Sequence, residues 1–349
     1  PGVPIITSEN AEEVAANGCA RSTVKETYEF ILGDLNKAIE LLANTKKTRS
    51  DKRYVSLDVA YGIRARVHLT MHNYADALKD AEAALASTSS VPYSSAAVSK
   101  PTFIDIEDAS WMWGILITDK DRVSTTGICN FPSHMGSLNY GYASVGGWRR
   151  ISPKLYNQIP ESDVRKGWFL DDTGVSVNLP AAAQAYITKK GAPVYTQVKY
   201  GPMNDEWGSN NNATDVILMR VEEMYLIKAE AQAMNNDVSG GVNTLNSFVN
   251  TYRDPSYKCT ATTGEAVQEA VWHQRRIEFW GEGLAYFDIM RLNKGVNRLG
   301  CGFPKTAVFN IAAGDPVQIY SIPNKEVQYN PLLENNPLVS APTPIPDEE

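Results

Sequence analysis

Cysteine is scarce in this sequence, basic charge is in deficit and long apolar runs are missing; each shortage removes a class of protein. The four cysteines, Cys19, Cys129, Cys259 and Cys301, stand far apart and match neither a metal-ligand nor a redox spacing, so they indicate no compartment. Lys and Arg total 33 against 40 Asp and Glu, a net charge of −7. That balance leaves no broad basic surface for phosphate backbones and argues against a nucleic-acid partner. No apolar run approaches the roughly 18 residues that a membrane-spanning helix requires. The chain opens on Pro1-Gly2 without Met and without a charged and apolar leader, so it reads as a fragment, with any targeting or anchoring element expected upstream. G-x-S-x-G, a Walker loop, a nucleotide fingerprint and a reactive Cys–His pairing are also missing, which leaves no motif for common hydrolase or nucleotide chemistry.

What is present describes an ordinary globular chain. Its 349 residues are 43% hydrophobic and 21% charged, enough to bury a sizeable core in two domains or one large one. Thr23 and Glu26 form a capping box, and Val24, Tyr28, Ile31, Leu35, Ala38, Ile39 and Leu42 follow at helical spacing, which predicts a helix over 23–43. The polar stretch 44–53 reads as a solvated loop. Residues 57–85 predict two helices split at Asn73, and 216–255 predict a second pair split at "NNDVSGG". Small residues such as Tyr74-spaced Ala77, Ala81 and Ala84 let antiparallel helices approach closely, in the manner of a tetratricopeptide repeat. The fold class is therefore mostly α, with tetratricopeptide-like helix pairs as a scaffold in 20–87 and 216–295. Between them, 88–215 is rich in Ser, Gly, Asn, Pro and aromatics, lacks helical period, and reads as a loop-rich insertion with short strands such as "WMWGILITD". The final segment, 296–349, is rich in turn residues and ends in a solvated tail.

The densest chemistry lies in "HQRRIEFWGEGLAYFDIMR", 273–291. On a helix, Arg275, Glu278 and Glu282 share a face, and Asp288 and Arg291 can pair in a second short helix. Gly281 and Gly283 mark a helix end. Two readings compete. One makes Glu278 or Glu282 a general acid of a glycosidase. The other joins Glu278, Glu282 and Asp288 to Arg275, Arg276 and Arg291 in a structural ionic network, and is favoured because carboxylates among arginines are held ionised, whereas an acid catalyst needs a raised pKa.

The same stretch resembles the C-terminal signature of the SusD/RagB family, E-R-R-x-E-L-x-x-E-G-x-R-x-F-D-L-x-R, with Arg275, Arg276, Glu278, Glu282, Gly283, Phe287, Asp288 and Arg291 in register. Similar to family segments are also "RVEEMYLIKAEAQA" with Arg220, Glu222 and Glu230, "YSIPNKEVQYNPLLENNP" with Pro323, Glu326, Asn330 and Asn336, and "ISPKLYNQIPESDVRKGWFL" with Asp163 and Arg165. The opening "PGVPIIT" looks like the loop before the family's second helical region. The resemblance implies one SusD-like domain over 1–349 that lacks the family's N-terminal part, and a surface lipoprotein of the Bacteroidetes outer membrane. It further implies non-catalytic binding of oligosaccharide or polysaccharide, without a cofactor, and delivery to a SusC-like TonB-dependent transporter. Gln274 stands where the family usually has Glu, and Ala285 where it has Arg. If those two normally pair, losing both leaves no orphaned buried charge, which would cost about 3–5 kcal/mol. On that expectation, Ala285→Arg alone lowers the melting temperature.

Sugar rings stack their C–H faces on exposed aromatics while polar side chains meet their hydroxyls. The candidate glycan contacts are Asn139, Tyr140, Tyr142, Trp148 and Arg149 in 131–150, and Trp207 in 205–215; the competing role for each is to pin a loop to the frame. Trp111 and Trp113 read as packing residues of a strand, and Trp272 and Trp280 as core. His68 and His72 have the spacing of a metal pair but lack the Glu of H-E-x-x-H and a third ligand, so no metal is expected. The alternatives to glycan capture are a scaffold whose helical grooves bind peptide or protein and, less favoured, a glycoside hydrolase.

Overall fold

The computed structural model describes residues 2–45, 47–121, 124–125 and 130–346. Cys129, Lys46 of the 44–53 loop and residues 347–349 of the expected tail lie outside the described residues. The chain forms two compact units, one of Pro1–Asn44 with Tyr286–Glu349 and one of Thr45–Ala285. Among the described residues no helix is long and apolar enough to cross a membrane.

The first unit begins with α1 (Ala11–Asn17) and α2 (Val24–Asn44). The capping box is formed as its sequence requires: the Thr23 N–H donates to Glu26 Oε2 at 2.8 Å and the Glu26 N–H to Thr23 Oγ1 at 3.1 Å, satisfying two donors that the helix itself leaves free.

The second unit holds α3 (Leu57–Thr70), α4 (Tyr74–Ser87), α5 (Ser95–Val98), β1 (Trp111–Ile115), α6 (Phe131–Met135), α7 (Pro153–Tyr156) and α8 (Ala181–Lys189). It continues with β2 (Val216–Arg220), α9 (Val221–Met234), α10 (Val238–Tyr252) and α11 (Gly264–Glu278). The break between α3 and α4 falls where the sequence places it. His72 takes φ 60°, and the Asn73 N–H closes onto the His68 carbonyl at 2.9 Å. The two helix pairs, distant in sequence, share one core: Val59, Ala65, Leu69, Ala77, Ala81 and Ala84 pack with Met219, Met224, Ile227 and Ala231. Small side chains permit that approach, and Gly241 extends it between α9 and α10, where an added Cβ would meet the Ala229 carbonyl oxygen at 2.7 Å. Arg66 on α3 fastens the pairs further, donating from Nε to Glu223 of α9 at 2.9 Å and from a terminal nitrogen to the Leu218 carbonyl at 2.7 Å.

One expected boundary moves. The sequence reads as helical from 216, but Val216–Arg220 is a strand antiparallel to β1, with Trp111 opposite Arg220 and Ile115 opposite Val216. A short apolar run carries both periods, and here the β-branched start and the partner strand decide. Trp111 is fully buried and donates from Nε1 to Tyr93 Oη at 2.7 Å, while Trp113 is half-buried. The 44–53 loop is less solvated than its composition suggests, since Arg49 donates to the Met112 carbonyl at 2.7 Å.

The first unit resumes at Tyr286, within α12 (Ala285–Arg291), followed by β3 (Val296–Asn297), β4 (Asn310–Ile311) and α13 (Asn324–Tyr329). Asp288 accepts from Arg291 Nε at 2.9 Å, the pairing that their spacing suggests. Asn330 clamps both backbone groups of Cys19, and Asn336 accepts from Arg21 at 2.8 Å, so the polar residues of that C-terminal block hold an N-terminal segment of the same unit.

Candidate functional site

Within the second unit the signature glutamates are the centre of a buried ionic cluster. Glu278 and Glu222 are entirely buried, as is the Arg165 side chain. Glu278 receives Arg253 Nε at 2.8 Å, Arg220 at 3.1 Å and Arg165 at 3.3 Å. Glu282 receives Lys199 Nζ at 2.5 Å and Arg220 at 2.9 Å. Glu222 takes Arg253 at 3.1 Å and Arg220 at 3.0 Å, and Asp163 takes Arg165 at 2.6 Å. Four cations, Arg165, Lys199, Arg220 and Arg253, thus meet four carboxylates, Asp163, Glu222, Glu278 and Glu282. Burial pushes Glu278 upward, but Arg253, with Arg220 and Arg165, outweighs it and holds the carboxyl well below the usual range. Glu282 is likewise pushed up by burial and drawn down further by Arg220 and Lys199. Burial pulls Lys199 down to about 8 against the attraction of Glu282. Glu278 and Glu282 are held ionised and interlocked with cations, with none of the raised pKa that proton donation to a glycosidic oxygen demands.

The cations on Glu278 and Glu282 differ from those expected from neighbours in sequence. Arg275 faces Glu223 at 3.8 Å, and the Arg276 guanidinium lies 5.0 Å from the Trp272 ring centre. The reason is helical geometry: α11 ends at Glu278 and the chain turns at Gly281, where φ is 80°, so the carboxylates point to β2, α10 and the 163–199 loops. Gln274 is also engaged, its carbonyl oxygen accepting from Arg165. Ala285 is exposed. The supposed lost pair of 274 and 285 therefore gives way to a Gln274–Arg165 contact, and an arginine at 285 would stay hydrated.

The two loops proposed for glycan contact lie side by side. The Tyr140 N–H donates to the Ser209 carbonyl at 2.8 Å, and the Gly208 N–H to the Leu138 carbonyl at 2.7 Å. Tyr140 and Tyr142 are 45% and 44% exposed. Arg149 lies 5.6 Å from the Tyr142 ring centre, His134 stacks on Tyr142 at 4.8 Å, and Lys190 at the end of α8 lies 5.9 Å from the Tyr140 ring centre. Trp148 and Trp207 are half-buried against Leu138, Leu170, Ala183, Ile187 and Val198. Asn139, expected at the ligand surface, is instead 4% exposed and donates to Asn212; its amide fastens one loop to the other. His68 lies half-buried with Nε2 3.8 Å from Asp80, while His72 stacks on Tyr74.

Sequence reasoning missed Lys199 and Arg253, single charges with no local pattern. It also missed a cleft of about 450 Å³ lined by Tyr156, Lys166, Asp171, Asp172 and Tyr195 among others. Its residues come from loops and short turns, where period carries no information.

A family model described as "SusD family" matches residues 165–338, and one described as "Starch-binding associating with outer membrane" matches residues 1–69. Among solved structures, the chain is similar to a SusD-like carbohydrate binding protein from Bacteroides vulgatus, at 24% identity and TM-score 0.74, over 95% of this chain and 70% of that one. A SusD superfamily protein from Bacteroides thetaiotaomicron is similar at 23% identity and TM-score 0.76, over 97% and 71%. A putative sugar binding protein from Bacteroides vulgatus is similar at 23% identity and TM-score 0.71, over 96% and 70%. No curated protein matches the sequence.

Proposed function

The chain belongs to the SusD/RagB family, and from that premise we propose that it captures oligosaccharide or polysaccharide without cleaving it. On this reading the helix pairs in 20–87 and 216–295 are the frame, and the 88–215 stretch is the recognition element. Tyr140 and Tyr142 supply ring surface, Arg149 supplies donors, and Trp148 and Trp207 hold the loops that carry them. Asn139 acts one step back, through Asn212. The protein works as a surface-exposed lipoprotein of the outer membrane and hands its cargo to a SusC-like TonB-dependent transporter.

The observation that carries the reading is the contrast between two sets of residues. The carboxylates are sealed inside the molecule and saturated with cations, whereas two tyrosines on polar loops stand open to solvent. Ring surface exposed beside guanidinium and ammonium groups suits a carbohydrate, which needs an apolar face and hydroxyl partners together. Electrophoresis through gels containing single polysaccharides, beside a reducing-sugar assay, tests this directly. Retardation by at least one glycan with no release of reducing ends is expected. Release of reducing ends that is lost in Glu278→Gln while folding is retained would establish a hydrolase instead.

A further inference from the structure

The cleft between α7 and the 171–178 loop shares no lining residue with the Tyr140 and Tyr142 loops. Its volume of about 450 Å³ falls in the range of small-ligand sites. Four carboxylates, Glu161, Asp163, Asp171 and Asp172, line it against one ammonium, Lys166. Three are already committed. Asp163 binds Arg165 at 2.6 Å, Glu161 pairs with Lys166, and Asp171 Oδ1 accepts from the Thr173 and Val175 N–H groups at 2.8 and 2.9 Å. Asp172 is exposed and accepts no hydrogen bond among the described residues.

Aromatic rings complete the wall. Tyr156 and Tyr195 have ring centres 5.2 Å apart, inclined by 57°, and Tyr195 is held at φ 65°. Lys166 Nζ lies 5.0 Å from the Tyr156 ring centre while donating to the Ile159 carbonyl at 3.0 Å, so the cleft already accommodates one ammonium between ring and carboxylate. The local field is negative: the Tyr156 hydroxyl is pushed up to about 12, by burial first and then by Asp171, Glu161 and Asp172. An anion would meet that same field. A cation gains from the half-buried Tyr195 ring and the uncommitted carboxylate, and the exposed Asn157 side chain can serve a neighbouring hydroxyl.

We propose that this cleft is a second saccharide subsite, selective for sugar units that carry a protonated amine, through Asp172 and the half-buried Tyr195 ring. The assignment rests on the carbohydrate-binding reading above. It deepens that reading by giving the protein a charge preference: amino sugars are favoured and uronates are repelled.

Titration calorimetry at pH about 6, where amino groups are protonated, tests it with glucosamine oligomers, N-acetylglucosamine oligomers, galacturonate oligomers and oligolysine. Glucosamine oligomers are expected to bind the wild type, and Asp172→Asn to weaken them about three- to fivefold, the worth of one exposed charge contact. Galacturonate oligomers should give no signal that depends on Asp172. Unchanged glucosamine affinity in Asp172→Asn overturns the subsite. Oligolysine binding that needs Asp172, with no glucosamine binding, makes the cleft a peptide site and overturns the saccharide assignment. If neutral glycans bind through Tyr140 and Tyr142 while glucosamine oligomers do not bind, the cleft proposal alone fails; if no glycan binds, the wider reading fails with it.

Discussion

Glu278 shows at one residue how the cluster works. Burial would drive its carboxyl towards the protonated form, yet three guanidinium groups surround it and prevail. Removing the charge reverses the balance and leaves buried arginines short of a counter-ion. Glu278→Gln is therefore expected to cost about 3–5 kcal/mol of stability, read from urea unfolding; a loss under about 1 kcal/mol would contradict the network's structural role. Ala285→Arg, on an exposed site, should leave stability within about 0.5 kcal/mol in the same assay. The sequence made an ionic network around Glu278 and Glu282 legible through the arginines beside them. It misassigned their partners because charge pairing across a fold depends on where a helix stops. Lys199 and Arg253 had no chance of being found by spacing, since each reaches the cluster from a separate loop or helix end.

Helix packing is the next scale, and two glycines separate its causes. Gly33 lies within α2 with nothing within 4 Å of its would-be Cβ. Gly33→Ala should stabilise the protein by about 0.5–1 kcal/mol through helix propensity and a more restricted unfolded chain. Gly241 sits where α10 touches α9, and a Cβ there would lie 2.8 Å from that of Ala233. Gly241→Ala should destabilise by about 1–3 kcal/mol by overpacking. Thermal melts of the two variants check both signs, and a rise for Gly241→Ala would refute the close approach. The helices themselves were legible from period and caps: α2, α3, α4 and α10 lie close to where the sequence puts them. The start of α9 was not, because "VILMR" satisfies strand and helix alike until β1 supplies a partner. Inside 88–215 the aromatics were legible as a set but not by role. Trp148 and Tyr142 have similar local surroundings in sequence, and only the hydrophobic cluster around α8 makes one an anchor and leaves the other exposed.

For the molecule as a whole, the ionic cluster sets the pH response. The folded-state pKa values of Glu278 and Glu282 lie below their unfolded values. Their contribution is therefore fully present above the unfolded carboxylate value of about 4.3 and is lost as pH falls below it towards the folded values. Lys199 has the same sign in an alkaline window. Its folded value of about 8 lies below the unfolded value of about 10.4, so the folded state releases its proton first and stability from this group rises between the two. Melting temperature should drop steeply on acidification, and Glu278→Gln should flatten that limb; an acid limb unchanged in the variant would contradict this account.

The central claim is that solvent-exposed tyrosines on the 131–150 loop bind carbohydrate while the buried carboxylates only hold the fold. Titration calorimetry of the wild type against the glycan that best retards it, repeated with Tyr140→Ala/Tyr142→Ala and with parallel thermal melts, tests that division most directly. The account expects affinity to fall about tenfold or more, the worth of about 1.4 kcal/mol, with the melting temperature unchanged. Undiminished affinity in a fully folded double variant would contradict it.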